Sequence, residues 1–449
     1  MRWNRRTFLA VAAALPLAPR KSGVPNILFL ISDDHSAVDL GCYGAGGLGT
    51  PRLDRLAAEG MRFTRAYAAA PQCSPSRSSY YSGCSPHTIG TSRQASFYPP
   101  LESSILEPLG EAGYFTAAFG KVHQGEDFER RFDLVDKDID GFETLFERLP
   151  DGKLFFAQIG YSDPHRPYPS PAANPPTPPE NVPVPAFLPD TSDVRQDFAS
   201  YWDEIRRMDV NVGRVLDTLE KRGLADTTLV IFTGDHGFPF PRGKGTLYES
   251  GIRVPLIVRW PAFVRAGKSS EALVSGVDLA ATCLHAAGLP IEPKMQGQSL
   301  LPILTGERES VREAVFTERN WHNHSDPQRA VVTQRFKLIY NGRPEQPYRP
   351  TSDIAASPSW LSFLEEDIRG RLEPNIRRLL APSRPFIEFY DLLSDPNEFH
   401  NLAEDPDYVA ERIRHEMLLS DWMHETLDYL PPLYYGYPAR KHPGRRLTV

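Results

Sequence analysis

Four short polar clusters in this chain carry the residue types of a cation site facing an oxyanion. They are Asp33-Asp34, Gly120-Lys121-Val122-His123, Asp163-Pro164-His165-Arg166 and Gly234-Asp235-His236-Gly237. Three aspartates with an imidazole make a hard, anionic nest that suits Ca²⁺, or Mg²⁺, better than a thiolate zinc site. Arg77, Lys121, His123, His165 and Lys244 supply positive charge for its surroundings. A cation ringed by such groups stabilises a tetrahedral oxyanion ester, so the chemistry called for is transfer of a sulfuryl or phosphoryl group. Taken singly, each cluster has a plainer reading as a helix cap, a solvated turn or a helix start. The set also lacks a nucleophile. The unexplained residue is Cys73, in Cys73-Ser74-Pro75-Ser76-Arg77. A buried structural cysteine sits among apolar neighbours, and a catalytic thiol needs a partner base; this polar stretch offers neither.

The elements before the clusters make them one site. Asn26–Ser32, Phe115–Phe119, Leu154–Gly160, Thr228–Thr233 and Pro255–Arg259 are short apolar runs of the kind that form buried parallel strands. Thr50-Pro51 to Gly60, Asp193 to Gly223 and Ser275 to Gly288 carry helical spacing or helix end signals. The alternation predicts an α/β fold, a large mainly parallel sheet covered by helices on both faces. Ligands of such sheets bind at the carboxyl ends of the strands, where all four clusters stand. Residues 164–190 predict a long surface loop near the site. Beyond about Thr305, Ala330–Val332 and Phe336–Tyr340 alternate like antiparallel strands and Ala410–Glu425 reads as a last helix. The expected division is an export signal over 1–23, a catalytic domain over 24–310 and a smaller α+β domain over 311–449 that contributes to the substrate pocket.

Composition narrows the class. The 449 residues are 41% hydrophobic and 24% charged, as in ordinary soluble proteins. A formal charge of −7 gives no basic field for nucleic acid. Arg5-Arg6-Thr7-Phe8-Leu9 and the Ala-rich run after it read as a twin-arginine export signal. That run is too short to span a bilayer, which needs about 20 apolar residues. The expected location is periplasmic or extracellular, with no membrane attachment after signal removal. Cys42, Cys73, Cys84 and Cys283 show no zinc-ligand spacing, and an oxidising compartment allows a disulfide between two of them.

With these motifs in place the chain resembles the type I sulfatases of the alkaline-phosphatase superfamily. Cys73-Ser74-Pro75-Ser76-Arg77 matches their C-x-P-S-R signature residue for residue. The resemblance implies that Cys73 is oxidised to formylglycine by a formylglycine-generating enzyme before folding is complete. It implies a Ca²⁺ site, with Mg²⁺ as the second choice, held by Asp33, Asp34, Asp235, His236 and the modified Cys73. Many relatives have Asn where His236 stands. By the same carry-over Arg77 holds the formylglycine hydrate and His123 orients it, Lys121 and Lys244 contact sulfate oxygens, and His165 protonates the leaving group. Within the family the chain is most similar to the N-sulfoglucosamine sulfohydrolase (heparan sulfamidase) branch, through Asp163–Arg166, Phe187–Thr191, Arg207-Met208-Asp209 and Thr228–Pro241. It departs from that branch at Lys244, where Arg is usual, and over Glu318–His324. Asp163, Arg166, Glu318, His322 and His324 are the candidate substrate contacts.

The function expected from the resemblance is release of the N-sulfate of glucosamine from heparin- or heparan-sulfate-type glycans, with a sulfated saccharide as partner and a homodimer as the assembly to test. The alternatives are an O-sulfatase for another sulfated polysaccharide, and a phosphomonoester or phosphodiester hydrolase of the same superfamily.

Overall fold

The computed structural model describes residues 23–168 and 173–430. The expected export signal and most of the tyrosine-rich tail at 429–437 lie outside the described residues. Twelve strands form two sheets: β1 (Asn26–Ser32), β2 (Met61–Tyr67), β3 (Phe115–Gly120), β4 (Leu134–Asp136), β5 (Phe155–Gly160), β6 (Thr228–Gly234), β7 (Arg253–Arg259), β8 (Lys268–Ser275), β9 (Val315–Trp321), β10 (Ser325–Val332), β11 (Phe336–Asn341) and β12 (Ile387–Asp391). The first eight make one sheet in the order β4-β3-β5-β1-β6-β7-β2-β8, and the last four make a second in the order β12-β11-β10-β9.

β1 lies in the middle of the large sheet, parallel to β5 on one side and β6 on the other. Its side chains alternate between two cores. Ile27, Phe29 and Ile31 pack on one face with Tyr80 of the helix Cys73–Ser82 and Leu284 of the helix Asp278–Ala286. Leu28 and Leu30 pack on the other with Trp202 and Ile205 of the long helix Ser192–Lys221. A strand buried on both faces has no reason to alternate in polarity, which is why NILFLIS reads as a continuous apolar run. Each such side chain contributes about 1.5–3 kcal/mol on burial. The long helix starts where Thr191 Oγ1 accepts the Val194 N–H at 3.3 Å, an N-cap bond.

Three expectations change. The run Pro255–Arg259 lies in β7, which is antiparallel to both β6 and β2. The chain leaves β6 at the polar-cluster end, loops through residues 235–252 and enters β7 from that same end, so the direction must reverse. β2, β4 and β8 carry charged residues among their apolar ones and gave no continuous run, yet they complete the sheet. All four cysteines are free thiols, so no disulfide joins any pair.

The second sheet is antiparallel throughout. One face buries Val331, Leu338 and Phe389 under Leu419, Trp422 and Met423 of the helix Val409–Glu425. Val315, Ala330, Val332 and Ile339 pack against Tyr67, Leu247, Ile252 and Leu273 of the large domain. The seam is also held by a buried ion pair. His87 Nδ1 meets Glu318 Oε2, and His87 Nε2 lies 2.9 Å from Thr426 Oγ1. Burial opposes protonation of His87, but Glu318 and Asp428 outweigh it and hold its pKa above the ordinary value. A raised folded pKa gives stability that is complete below the unfolded value, about 6.5, and is lost as pH rises through the folded one. His87→Gln is therefore expected to lower stability by about 1.5–3 kcal/mol at pH 6, with the gap to wild type narrowing at higher pH. Melting curves of both proteins across pH check this, and a gap that ignores pH would exclude a charged pair.

Among the described residues no helix is long and apolar enough to cross a membrane.

Candidate active site

The ends of β1, β5 and β6 are tied together by backbone. Asp33 N–H donates to the Asp163 carbonyl at 3.0 Å and Asp235 N–H to the Ser32 carbonyl at 2.9 Å. Asp34 N–H and His236 N–H donate to Asp235 Oδ1 at 3.0 and 2.8 Å. Asp34 and His123 adopt left-handed backbone angles, φ 62° and 63°, a costly conformation for residues with a Cβ that concentrates at functional sites.

The helix Cys73–Ser82 is buried along its whole length despite its polar sequence. Its hydroxyls are therefore bonded, as buried polar groups must be. Ser78 Oγ donates to the Pro75 carbonyl at 2.7 Å and Ser79 Oγ to the Ser76 carbonyl at 2.6 Å. Ser76 Oγ donates to the Asp235 carbonyl, and Tyr80 OH to the Gly234 carbonyl at 2.6 Å. These bonds seat the helix on the end of β6 and put Cys73, its first residue, at the cluster. Cys73 Sγ lies 3.4 Å from Asp33 Oδ1 and 3.3 Å from His236 Nε2.

Asp33, Asp34, Cys73 and His236 offer ligand atoms that all lie within 4.8 Å of one another, and all four residues are buried. Asp34 Oδ1 is buried with no aligned hydrogen-bond donor. A buried, oxygen-rich set of this kind fits a hard divalent cation. Asp235 stands at the edge of this group, its Oδ1 3.7 Å from His236 Nε2 and its Oδ2 accepting from Arg77 Nε at 2.9 Å. Burial opposes a proton on His236, but Asp235, Cys73 and Asp34 outweigh it and raise its pKa to about 10. The same field attracts a metal, and an imidazole must release that proton to become a ligand.

Positive groups surround the cluster. Arg77 is 1% exposed in its side chain and donates through NH1 to the Lys121 carbonyl at 3.0 Å. Its NH2 is buried without an acceptor, 3.8 Å from Asp33 Oδ2. Lys121 Nζ meets Asp33 Oδ2, and Lys244 Nζ lies 2.9 Å from Asp34 Oδ1 and 3.0 Å from His165 Nε2. Burial pulls both lysines down, but the carboxylates outweigh it and keep them charged. Asp34 raises the pKa of His165 against burial and Lys244. Burial, then Lys121 and Arg77, lower His123 to about 4, so it is neutral. His123 Nε2 lies 3.3 Å from the hydroxyl of Ser74, beside Cys73 in the chain.

Asp353 was missed in the sequence. Its Oδ2 accepts from Lys244 Nζ at 2.8 Å and lies 3.9 Å from His165 Nε2. It belongs to the short helix Ser352–Ala355, after the second sheet has begun, and Thr351-Ser352-Asp353 reads in sequence as a helix start like any other. No local signal points to it.

The five candidate substrate contacts divide. Asp163 accepts both Nε and NH2 of Arg207, at 3.0 and 2.6 Å, and lines a cavity of about 570 Å³ with Lys121 and His123. His322 feels the charges of Lys244 and Asp353, and burial followed by Lys244 lowers its pKa to about 4. His324 instead faces Arg319 and Asp326. Arg166 and Glu318 are each held in an ion pair. The Arg166 fork is engaged by Asp197 at 2.6 and 2.7 Å, between the Tyr168 and Phe240 rings, with its side chain 8% exposed. Glu318 is fully buried on His87. Both close buried ion pairs.

Comparison with known proteins agrees with this geometry. The family model described as Sulfatase matches residues 25–150 and 136–289, and that of the N-sulphoglucosamine sulphohydrolase C-terminal region matches 234–358. Human N-sulphoglucosamine sulphohydrolase is 31% identical over 464 residues, covering 90% of each chain. An ulvan-active sulfatase of Formosa agariphila is 29% identical over 89% of this chain and 74% of its own. A solved structure described as a complex with its substrate D-glucosamine-2-N,6-O-disulfate superposes with a TM-score of 0.70 at 22% identity, covering 92% of this chain and 100% of that one.

Proposed function

This chain belongs to the sulfatase family, hydrolases of sulfate esters or sulfamates, and from that premise we propose that it removes the N-sulfate of glucosamine in heparin- or heparan-sulfate-type glycans. The observation that carries the reading is the seating of Cys73 at the start of a buried helix, with Sγ between Asp33 and His236 and with Arg77 one turn on. The choice of an N-sulfated glucosamine is supported by the similarity to the human sulfohydrolase.

Asp33, Asp34, Asp235 and His236, with the oxidised Cys73, would hold Ca²⁺, or Mg²⁺ as second choice. The cation supplies charge opposite the sulfuryl oxygens, and Cys73 as formylglycine supplies the hydroxyl nucleophile. The chain's own residues do the rest. The unfilled NH2 of Arg77 is a preorganised donor for an anionic oxygen. Lys121, on Asp33, and Lys244, on Asp34, take up charge as the S–N bond breaks. His165 turns Nδ1 to the Arg166 carbonyl, and Asp34 favours its doubly protonated ring, which hands the Nε2 proton to the departing amine and is left neutral. Neutral His123 braces Ser74 and so the start of the helix.

Asp353 is the positioning residue for Lys244. Asp353→Ala is expected to lower kcat/KM on a sulfated glucosamine by about 10²-fold, through a displaced ammonium, with Asp353→Glu recovering part of the loss. An unchanged kcat/KM would show that Asp34 alone holds Lys244.

The deciding experiment takes protein from its native host, or from a strain with a formylglycine-generating enzyme, after twin-arginine export. Peptide mass spectrometry is expected to find Cys73 as the aldehyde, and the protein is expected to release sulfate from N-sulfoglucosamine. Release from O-sulfated sugars alone would move the assignment to another polysaccharide. A thiol at Cys73 with no sulfate release would overturn it. Sedimentation of the same sample tests for the homodimer.

A further inference from the structure

A second cavity, of about 500 Å³, lies between the second sheet and the loop after β6. Arg319, Arg242, Tyr348, Arg384, Gln328 and Glu388 line it. Arg319 is 1% exposed, and none of its Nε, NH1 or NH2 has an aligned acceptor. NH1 does lie 2.8 Å from Asp326 Oδ2, but off the hydrogen-bond direction. Asp326 is already engaged by both terminal nitrogens of Arg384. A buried and a half-buried guanidinium group thus share one carboxylate. A buried guanidinium with open N–H groups is expensive unless something fills them. Burial accordingly drags the Arg319 pKa below its ordinary value, against the pull of Asp326.

The rest of the wall suits a hydroxylated ring. The Tyr348 hydroxyl is buried against the backbone of Arg242. Glu388 takes the hydroxyls of Tyr248 and Tyr390 at 2.8 and 2.6 Å and Asn341 Nδ2 at 2.7 Å, so it is already satisfied and does not neutralise Arg319. Arg242 stacks 3.8 Å from the centroid of Tyr248 and donates to the carbonyls of Asn397 and Glu398. The volume falls in the range of small-molecule sites. A planar fork of N–H donors matches carboxylate and sulfate oxygens two at a time.

We propose that this cavity is a second binding site, separate from the Cys73 cluster, which takes an acidic sugar unit with its carboxylate or sulfate on Arg319. The anion follows from Arg319 and the cavity. The sugar ring rests on the saccharide reading above.

Titration calorimetry of the full chain with D-glucuronate, D-glucosamine 6-sulfate and neutral D-glucose tests it. Glucuronate carries no sulfate, so its binding does not depend on the catalytic reading. The expected result is that at least one acidic sugar binds, that Arg319→Gln weakens it about tenfold or more, and that glucose binds far more weakly. The glucuronate and 6-sulfate arms show which oxyanion is preferred. Failure of both acidic sugars, equal binding to Arg319→Gln, or equal binding of glucose would overturn the proposal. If Arg319→Gln does not fold, a crystal of the wild-type protein soaked in the tighter acidic sugar decides. An oxyanion on the Arg319 fork supports the site, and an empty cavity rejects it.

Discussion

Cys73→Ala is expected to lower sulfate release by about 10⁴-fold or more while leaving the melting temperature close to wild type. The side chain is small, and its nearest polar contacts are Asp33 Oδ1 at 3.4 Å and His236 Nε2 at 3.3 Å, neither of which needs the thiol to stay folded. Asp33 keeps Lys121 and Arg77, and His236 keeps the Gly237 carbonyl through Nδ1 at 3.0 Å. The loss is thus chemical. Cys73→Ser sharpens the test. A serine hydroxyl accepts a sulfuryl group once but has no second hydroxyl to expel it. At most one turnover per molecule is expected, with the mass of one sulfuryl group left on the peptide. Sustained multiple turnover by Cys73→Ser would exclude the formylglycine route.

Arg77 gives the second large effect, and it strikes stability as well as rate. Its guanidinium is buried between Asp235 and Asp33 and also holds the Lys121 carbonyl. Arg77→Ala leaves Asp235 Oδ2 without its cation in a buried site. Breaking a buried pair from one side costs about 3–5 kcal/mol. Arg77→Lys keeps the charge but loses the planar fork that bonds an aspartate and a carbonyl together. It is expected to fold and to lose about 10²–10³-fold in kcat, the scale of one preorganised oxyanion donor. Chemical denaturation and steady-state kinetics of both variants separate the two effects. A fully active Arg77→Lys would show that only the charge matters.

Much of this was legible in the chain because strand-end chemistry is local. Asp33-Asp34 and Asp235-His236 directly follow runs buried on both faces, so the hydrophobic pattern places them at the carboxyl ends of neighbouring strands. Cys73–Arg77 is a contiguous motif that needs no partner to be read. The direction of β7 is not legible in the chain, since an apolar run says that a strand is buried and not which way it points. β2 and β8 escaped because their charged residues break the run, although their apolar residues still enter the core.

The amino-acid sequence by itself determined the α/β class and the polar clusters, Cys73–Arg77 among them, from which the proposed chemistry is read. Those follow from residue types within a few positions of one another. Only the tertiary structure decided which charges meet. It gave Arg166 to Asp197 and Glu318 to His87. It brought Asp353 to Lys244 and left Arg319 beside an already shared carboxylate. Each of these partners is remote in sequence. A buried charge takes its partner from whatever the packing of two sheets sets beside it, and no local pattern carries that pairing.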